Sequence, residues 1–195
     1  MTAFVVIGIC VILAFYMIST YNGLVTKRNS FRNAFSQIDV QLERRYSLIP
    51  NLVESVKSSM GHERETLEAV VKARNQAQTA CRAANKNPDN AAAIGMLSQA
   101  EGALSQALGR LMVLTENYPD LKAQETMKNL MEELTNTENT IAFARQAYND
   151  SVMVYNSARE QFPANIFSAG FGFSEAAFLS VESNEMKIAP KVQFR

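Results

Sequence analysis

Residues 37–56 read Gln37-Ile-Asp-Val-Gln-Leu-Glu-Arg-Arg-Tyr-Ser-Leu-Ile-Pro-Asn-Leu-Val-Glu-Ser-Val56, a helical apolar rhythm with an arginine pair and a proline set inside it. Extended outward, the apolar positions step from Phe31 through Phe35, Ile38 and Leu42, pass Arg45, and go on to Ile49, Leu52 and Val56. Steps that alternate four and three mark a helix-packing seam. The seam keeps its register through Pro50, which is therefore expected as a kink inside one helix, costing about 3 kcal/mol unless a neighbour satisfies the carbonyl it frees.

Upstream, Ala3 to Ile18 is an unbroken run of apolar residues and glycine, continued by Ser19, Thr20 and Tyr21. At the rise of an α-helix that run spans roughly 28 Å, close to the hydrocarbon core of a bilayer. A cleaved signal peptide would carry a basic start and a small-x-small cleavage site, and Met1-Thr2 and Met17-Ile-Ser-Thr-Tyr21 supply neither. Residues 1–21 are expected to be a retained anchor. Lys27, Arg28 and Arg32 follow with no acidic residue before Asp39, so the positive-inside rule puts the amino end outside and the body in the cytoplasm.

Downstream, Ala83 to Asn90 reads as a turn, with Asn87 or Asp89 available as an N-cap and Pro88 suited to a helix start. Leu97, Ala100, Leu104, Ala107, Leu111, Leu114 and Tyr118 mark the next helix, ended by Asn117-Tyr118-Pro119-Asp120. A last helix over 121–162 carries Met127, Leu130, Leu134, Ile141, Ala144, Tyr148, Val152 and Tyr155 on one face. Turning the first helix at Ser47 would give mismatched arms of about 37 and 55 Å and drive polar residues into lipid. A break at Gly61-His62 instead gives helices of about 39, 23, 28 and 42 residues that close up and down. The expected fold is all-α: a transmembrane helix leading into an up-and-down antiparallel four-helix bundle over 22–162, then a short irregular tail over 163–195.

All 19 basic and 19 acidic residues lie after Tyr21, and this balance leaves no electrostatic footprint for nucleic acid. Cys10 and Cys81 form neither a disulfide framework nor a metal pair.

Several blocks resemble the LemA family of bacterial single-span membrane proteins. They include Tyr21-Asn22, Ile38-Asp39-Val40-Gln41-Leu42, Arg44-Arg45, Leu48-Ile49-Pro50-Asn51-Leu52-Val53 and Ala73-Arg74-Asn75. Glu116 to Ala123, Thr137-Glu138-Asn139, Ala144-Arg145, Tyr148-Asn149, Tyr155-Asn156, Phe171-Gly172-Phe173 and Pro190-Lys191-Val192 continue the match in order. The resemblance implies a short external amino end, one span and a cytoplasmic helical bundle. It also implies ties to magnetosome-membrane construction in one branch and to envelope-stress proteolysis in others, with no catalytic residues to carry over.

The residues themselves point away from catalysis. His62-Glu63 would begin a zinc-hydrolase motif, but Thr66 stands where its second histidine belongs. Gly170-Phe-Gly172-Phe has no strand and helix to make it a phosphate loop. No catalytic, cofactor or metal site is expected. Arg44, Arg45, Asn51, Tyr118, Glu138 and Arg145 are expected to form a structural polar network. Gly95, Gly102 and Gly109 recur every seven residues with Ser98 and Ser105 on the face opposite Leu97 and Leu104, a candidate oligomer face. Ile166, Phe167, Phe171, Phe173 and Phe178 form a candidate membrane-proximal group. The expected function is a non-enzymatic, membrane-anchored scaffold that contacts lipid, self-associates and organises or shapes the membrane. The alternative is an adaptor for a membrane protease or other envelope protein.

Overall fold

A computed structural model describes residues 1–57, 59–60 and 63–180. Thr2–Lys57 is one helix, α1, 56 residues long, and it passes through Pro50 without interruption. From Phe4 to Ile18 its large apolar side chains lie bare, and this is the one helix among the described residues long and apolar enough to cross a membrane. From Leu24 onward the same helix turns into the strut of the bundle. The buried set on its bundle half is Leu24, Phe31, Phe35, Ile38, Leu42, Arg45, Tyr46, Ile49, Leu52 and Val56, the seam expected from the sequence with Leu24 and Tyr46 added.

The chain reverses between Lys57 and Arg64, within the region expected, although Gly61 and His62 themselves fall outside the described residues. Helix α2, Arg64–Lys86, runs back along α1, and α3, Ala91–Thr115, returns beside α2. The cap of α3 is neither Asn87 nor Asp89 but Asn90, whose side chain accepts from the Ala92 and Ala93 amides at 2.9 and 3.2 Å. Asp89 is instead held by Arg32 of α1 through both carboxylate oxygens, the Nε bond being 2.9 Å, which pins the α2–α3 turn to α1. The last expected helix is divided: α4, Pro119–Ala123, then α5, Glu125–Glu160, which packs along α1.

Every described element is helical. The bundle, however, does not close as a simple four-helix square. Helix α1 packs against α2 and α5, and α2 against α3, whereas α3 and α5 lack extensive lateral packing. Two things lie between them: a cleft lined by Ser105, Gly109, Thr135 and Glu138, and the extended segment after Phe173. The tail also carries one helical turn, α6, Ala164–Phe167, before Gly172 at φ +73° reverses the chain into that segment. A positive φ of this kind is what glycine supplies without strain.

Along the α1–α2 seam a polar ladder flanks the core. Cys81 and Asn85 donate to Asp39 at 3.2 and 2.6 Å, and Gln78 donates to Glu43 at 2.9 Å. One rung answers the proline. In an uninterrupted helix the amide of residue 50 would bond the Tyr46 carbonyl, and proline has no such amide. Arg74 of α2 fills the vacancy, its Nε donating to the Tyr46 oxygen at 3.0 Å.

This arrangement makes a double-mutant prediction. Arg74→Met should lower the unfolding free energy by about 1–3 kcal/mol, because it orphans a part-buried carbonyl. In a Pro50→Ala background the returned amide bonds that carbonyl, and most of the cost should vanish. Denaturant titrations of the four proteins in micelles give the coupling directly; equal costs in both backgrounds would mean that Arg74 does not replace the missing bond.

Candidate functional site

The centre of the bundle is polar. Arg45 points inward from the α1 seam, and its side chain and that of Glu101 on α3 are each only 5% exposed. The two meet at 3.1 Å, and Arg45 also donates to the Ser105 hydroxyl at 3.1 Å and pairs with Glu138 of α5 at 2.9 Å. The neighbouring Tyr46 hydroxyl donates to the other Glu101 oxygen. One guanidinium thus ties three helices together. Burial pushes the Glu101 carboxyl above the ordinary carboxylate range, against the pull of Arg45 and the Tyr46 hydroxyl, and Arg145 also acts on it to lower its pKa. Burial and the charge of Glu101 hold the Tyr46 phenol far up, so it stays a donor. With its fork taken up by two carboxylates and a serine, Arg45 serves as a structural charge.

Of the six residues expected in this network, Arg45 pairs with Glu101 and with Glu138, while Arg145 acts on Glu101 through its charge without an ion pair among the described residues. Arg44 is exposed and pairs with Glu133 on the outer edge of the α1–α5 contact. Asn51 is exposed and offers its backbone carbonyl to Ser55. Tyr118 is half-buried at the start of α4 and makes no side-chain hydrogen bond among the described residues. Glu101 and Tyr46 were missed. A signal existed: Glu101 occupies the place in the seven-residue repeat that Ile94 and Leu108 hold two turns to either side, and all three are buried.

A second polar device was also missed. On α5, Tyr148-Asn149 and Tyr155-Asn156 lie seven residues apart and grip the backbone of the extended tail. Tyr155 donates to the Ser174 carbonyl at 2.8 Å and Tyr148 to the Ala177 carbonyl at 2.9 Å. Asn156 both donates to the Ala176 carbonyl, at 2.9 Å, and accepts from its amide, at 3.0 Å. Asn149 does the same for Leu179, at 3.2 and 2.9 Å. A side-chain amide offers one donor and one acceptor side by side, which is what an adjoining strand would offer.

The glycine stripe borders this tail. Ser98 donates to the Ser180 carbonyl, Ser105 receives Arg45, and Gly109 faces the cleft. A methyl group built on Gly95, Gly102 or Gly109 would meet nothing within 4 Å, so packing within the protomer does not require these glycines. Among the candidate membrane-proximal residues, Phe173 is buried, Phe167 half-buried and Ile166 exposed, while Phe171 is exposed and lies with Phe167 beside the end of the apolar run. Phe178 lies elsewhere. It follows Ala177, which Tyr148 holds at the level of Phe35, about 21 Å along α1 from Tyr21.

Two substitutions test these devices. Asn156→Leu leaves the Ala176 amide and carbonyl without partners and should cost about 2 kcal/mol or more, with new proteolytic cleavage near residue 174. For Glu101, a carboxyl held above its unfolded value of 4.5 binds its proton more tightly when folded, so it favours folding at acid pH and loses that favour as pH rises through the folded value. Urea titrations of parent and Glu101→Gln should therefore shift in favour of the variant as pH rises above about 4.5; a difference that stays constant with pH would contradict the raised pKa.

The LemA family model matches residues 34–194. Magnetosome protein MamQ 2 of Paramagnetospirillum magneticum is 26% identical over 196 residues, covering 90% of this chain and 71% of that protein. Magnetosome protein MamQ of Magnetospirillum gryphiswaldense is 25% identical, covering 83% of this chain and 65% of that one. Protein LemA of Metamycoplasma hominis is 25% identical, covering 90% and 80%. With the apolar, unburied start of its first helix and its tail-clamped helical body, the chain belongs to the LemA family.

Proposed function

We propose that this protein is a membrane-anchored helical scaffold that self-associates in the plane of the bilayer and shapes it, with the amino end outside and the bundle in the cytoplasm. The observation that carries the reading is the foot. Phe162 and Phe171 are exposed and, with the half-buried Phe167 of α6, lie next to Tyr16–Tyr21 of α1, so apolar side chains from beyond the end of α5 and from α6 sit beside the span on one side of the membrane only. Apolar groups added to a single leaflet widen the protein's footprint there, an arrangement sensitive to curvature. The uninterrupted α1 transmits that placement to the bundle. The unforced glycines of α3 supply a surface that a second copy can approach closely. Two relatives that carry the name of magnetosome proteins fit a membrane-organising role.

A second reading, an adaptor for an envelope protein, is favoured by one feature. A trough of about 1050 Å³ runs along the outer side of α2, with Val53, Leu67, Val71, Ala80 and Met96 between charged rims at Glu54, Lys57, Arg64 and Lys72. Its apolar floor and charged edges suit an amphipathic helix of a partner.

Mass measurement of the full chain in native nanodiscs separates the two. The scaffold reading expects homo-oligomers that Gly102→Leu reduces to smaller species, whereas the adaptor reading expects a co-purifying partner that Val71→Lys releases. A monomeric parent at high density in the membrane, or a Gly102→Leu variant that assembles like the parent, would sink the scaffold reading.

A further inference from the structure

Ala14, Met17, Ile18 and Tyr21 line one side of a groove of about 380 Å³, and Phe167 and Phe171 of the foot line the other. All six side chains are apolar or aromatic. The α1 side of the groove belongs to the apolar run, so in the bilayer what fills it is lipid. Above the groove the aromatic rings form a continuous ladder. Phe171 meets Phe167 edge-on at 5.8 Å and Tyr21 at 5.5 Å, and Tyr21 meets Phe173 at 5.3 Å. The Arg28 guanidinium caps the ladder, its Cζ 4.9 Å from the Phe173 ring centre.

Arg28 lies two helical turns beyond Tyr21 on the same face of α1, about 10 Å along the axis. If Tyr21 marks the edge of the hydrocarbon, that step enters the headgroup layer. Three guanidinium groups, Arg28, Arg159 and Arg32, lie close enough to Tyr155 to act on its hydroxyl. Their anions are unevenly shared. Arg32 has Asp89, and Arg159 faces Glu160 and Glu175 at 3.6 and 3.5 Å. Arg28 takes part in no ion pair among the described residues, and its buried Nε has no hydrogen-bond partner there.

We infer that this corner is a phospholipid site: an acyl chain of the adjoining leaflet lies in the groove between α1 and the foot, and the lipid phosphodiester faces Arg28. The occupant follows from the continuity of the groove with the spanning surface and from the complementarity of an unpaired guanidinium to a phosphate. Generic annular lipid needs neither feature. A bound lipid would fix the foot to the span, so the site rests on the membrane placement in the proposed function and specifies how that placement is held.

The chain has no tryptophan, so Phe171→Trp gives a single probe in the groove. The full-length variant in micelles would be titrated with chain-brominated phosphatidylglycerol, and separately with diacylglycerol carrying the same brominated chains and no phosphate. Quenching should saturate at one phosphatidylglycerol per protein, with diacylglycerol about fivefold weaker, the equivalent of one cation near a phosphate. Adding Arg28→Gln should erase that difference, and Arg28→Lys should restore part of it, with helix content checked by circular dichroism. Equal quenching by the two lipids, or no effect of Arg28→Gln, overturns the phospholipid site and leaves the foot in place. No quenching by either lipid overturns the site and the membrane placement of the foot together.

Discussion

A charge that cannot leave the core governs this bundle. Arg45 sits in the middle of an apolar seam, and moving α1 by one residue along its neighbours would strand a guanidinium among leucines. A buried pair of this kind contributes little net stability over an apolar replacement, but losing one partner costs about 3–5 kcal/mol. The consequence is specificity of register: Glu101 on α3 and Glu138 on α5 must both stand at the height of Arg45. Apolar side chains above and below this layer could slide. The charged layer cannot.

The second constraint is continuity. A helix that both spans lipid and supports a bundle must not break between the two, yet Pro50 removes one of its hydrogen bonds far from the membrane end. The loss is repaired from outside the helix, by Arg74. The weak point of α1 therefore becomes a point of attachment for α2, and the backbone defect adds to the specificity of the α1–α2 contact. Arg32 and Asp89 do a comparable job nearer the apolar run, where they add to the Asn85–Asp39 bond in tying the α2–α3 turn to α1.

What was legible in the sequence is what repeats. The α1 seam from Phe31 to Val56, with Arg45 in it, was readable because a period of three and four leaves a trace that survives a proline and a charge. The all-α class and the reversal before Arg64 followed from the same period and from helix lengths. Glu101 was hidden by a competing stripe through Ala100 and Ala107. The Tyr-Asn pairs of α5 were visible as words but not as a clamp, since side chains that read backbone impose no pattern on the sequence they hold. For the same reason the tail read as a cluster of aromatics, and the segment that draws Phe178 away from the membrane could not be traced. Asn51 was drawn into the expected network by its place beside Pro50 and Tyr118 as a partner for Glu138 and Arg145, and the geometry sets both apart from Arg45.

The tail explains why the bundle is open on its fourth side. Helix α3 packs on α2 and helix α5 on α1, and the space left between α3 and α5 takes an extended chain, which keeps its amides and carbonyls unpaired unless something answers them. Packing α3 tightly on α5 would leave no room for such a chain. Seating it between them requires side chains that imitate a neighbouring strand, and Asn149 and Asn156 do so at intervals matched to the helix repeat, two turns apart. The same segment buries Ala176 and Leu179 between α3 and α5, and Phe173 past the level of Arg32, where the α2–α3 turn is pinned. Because the segment starts at Phe173, beside Tyr21 and Arg28, its seating also fixes where the foot meets the span. The position of the foot beside the apolar run is thus set from inside the bundle, through hydrogen bonds roughly 15–20 Å along α1 from Tyr21.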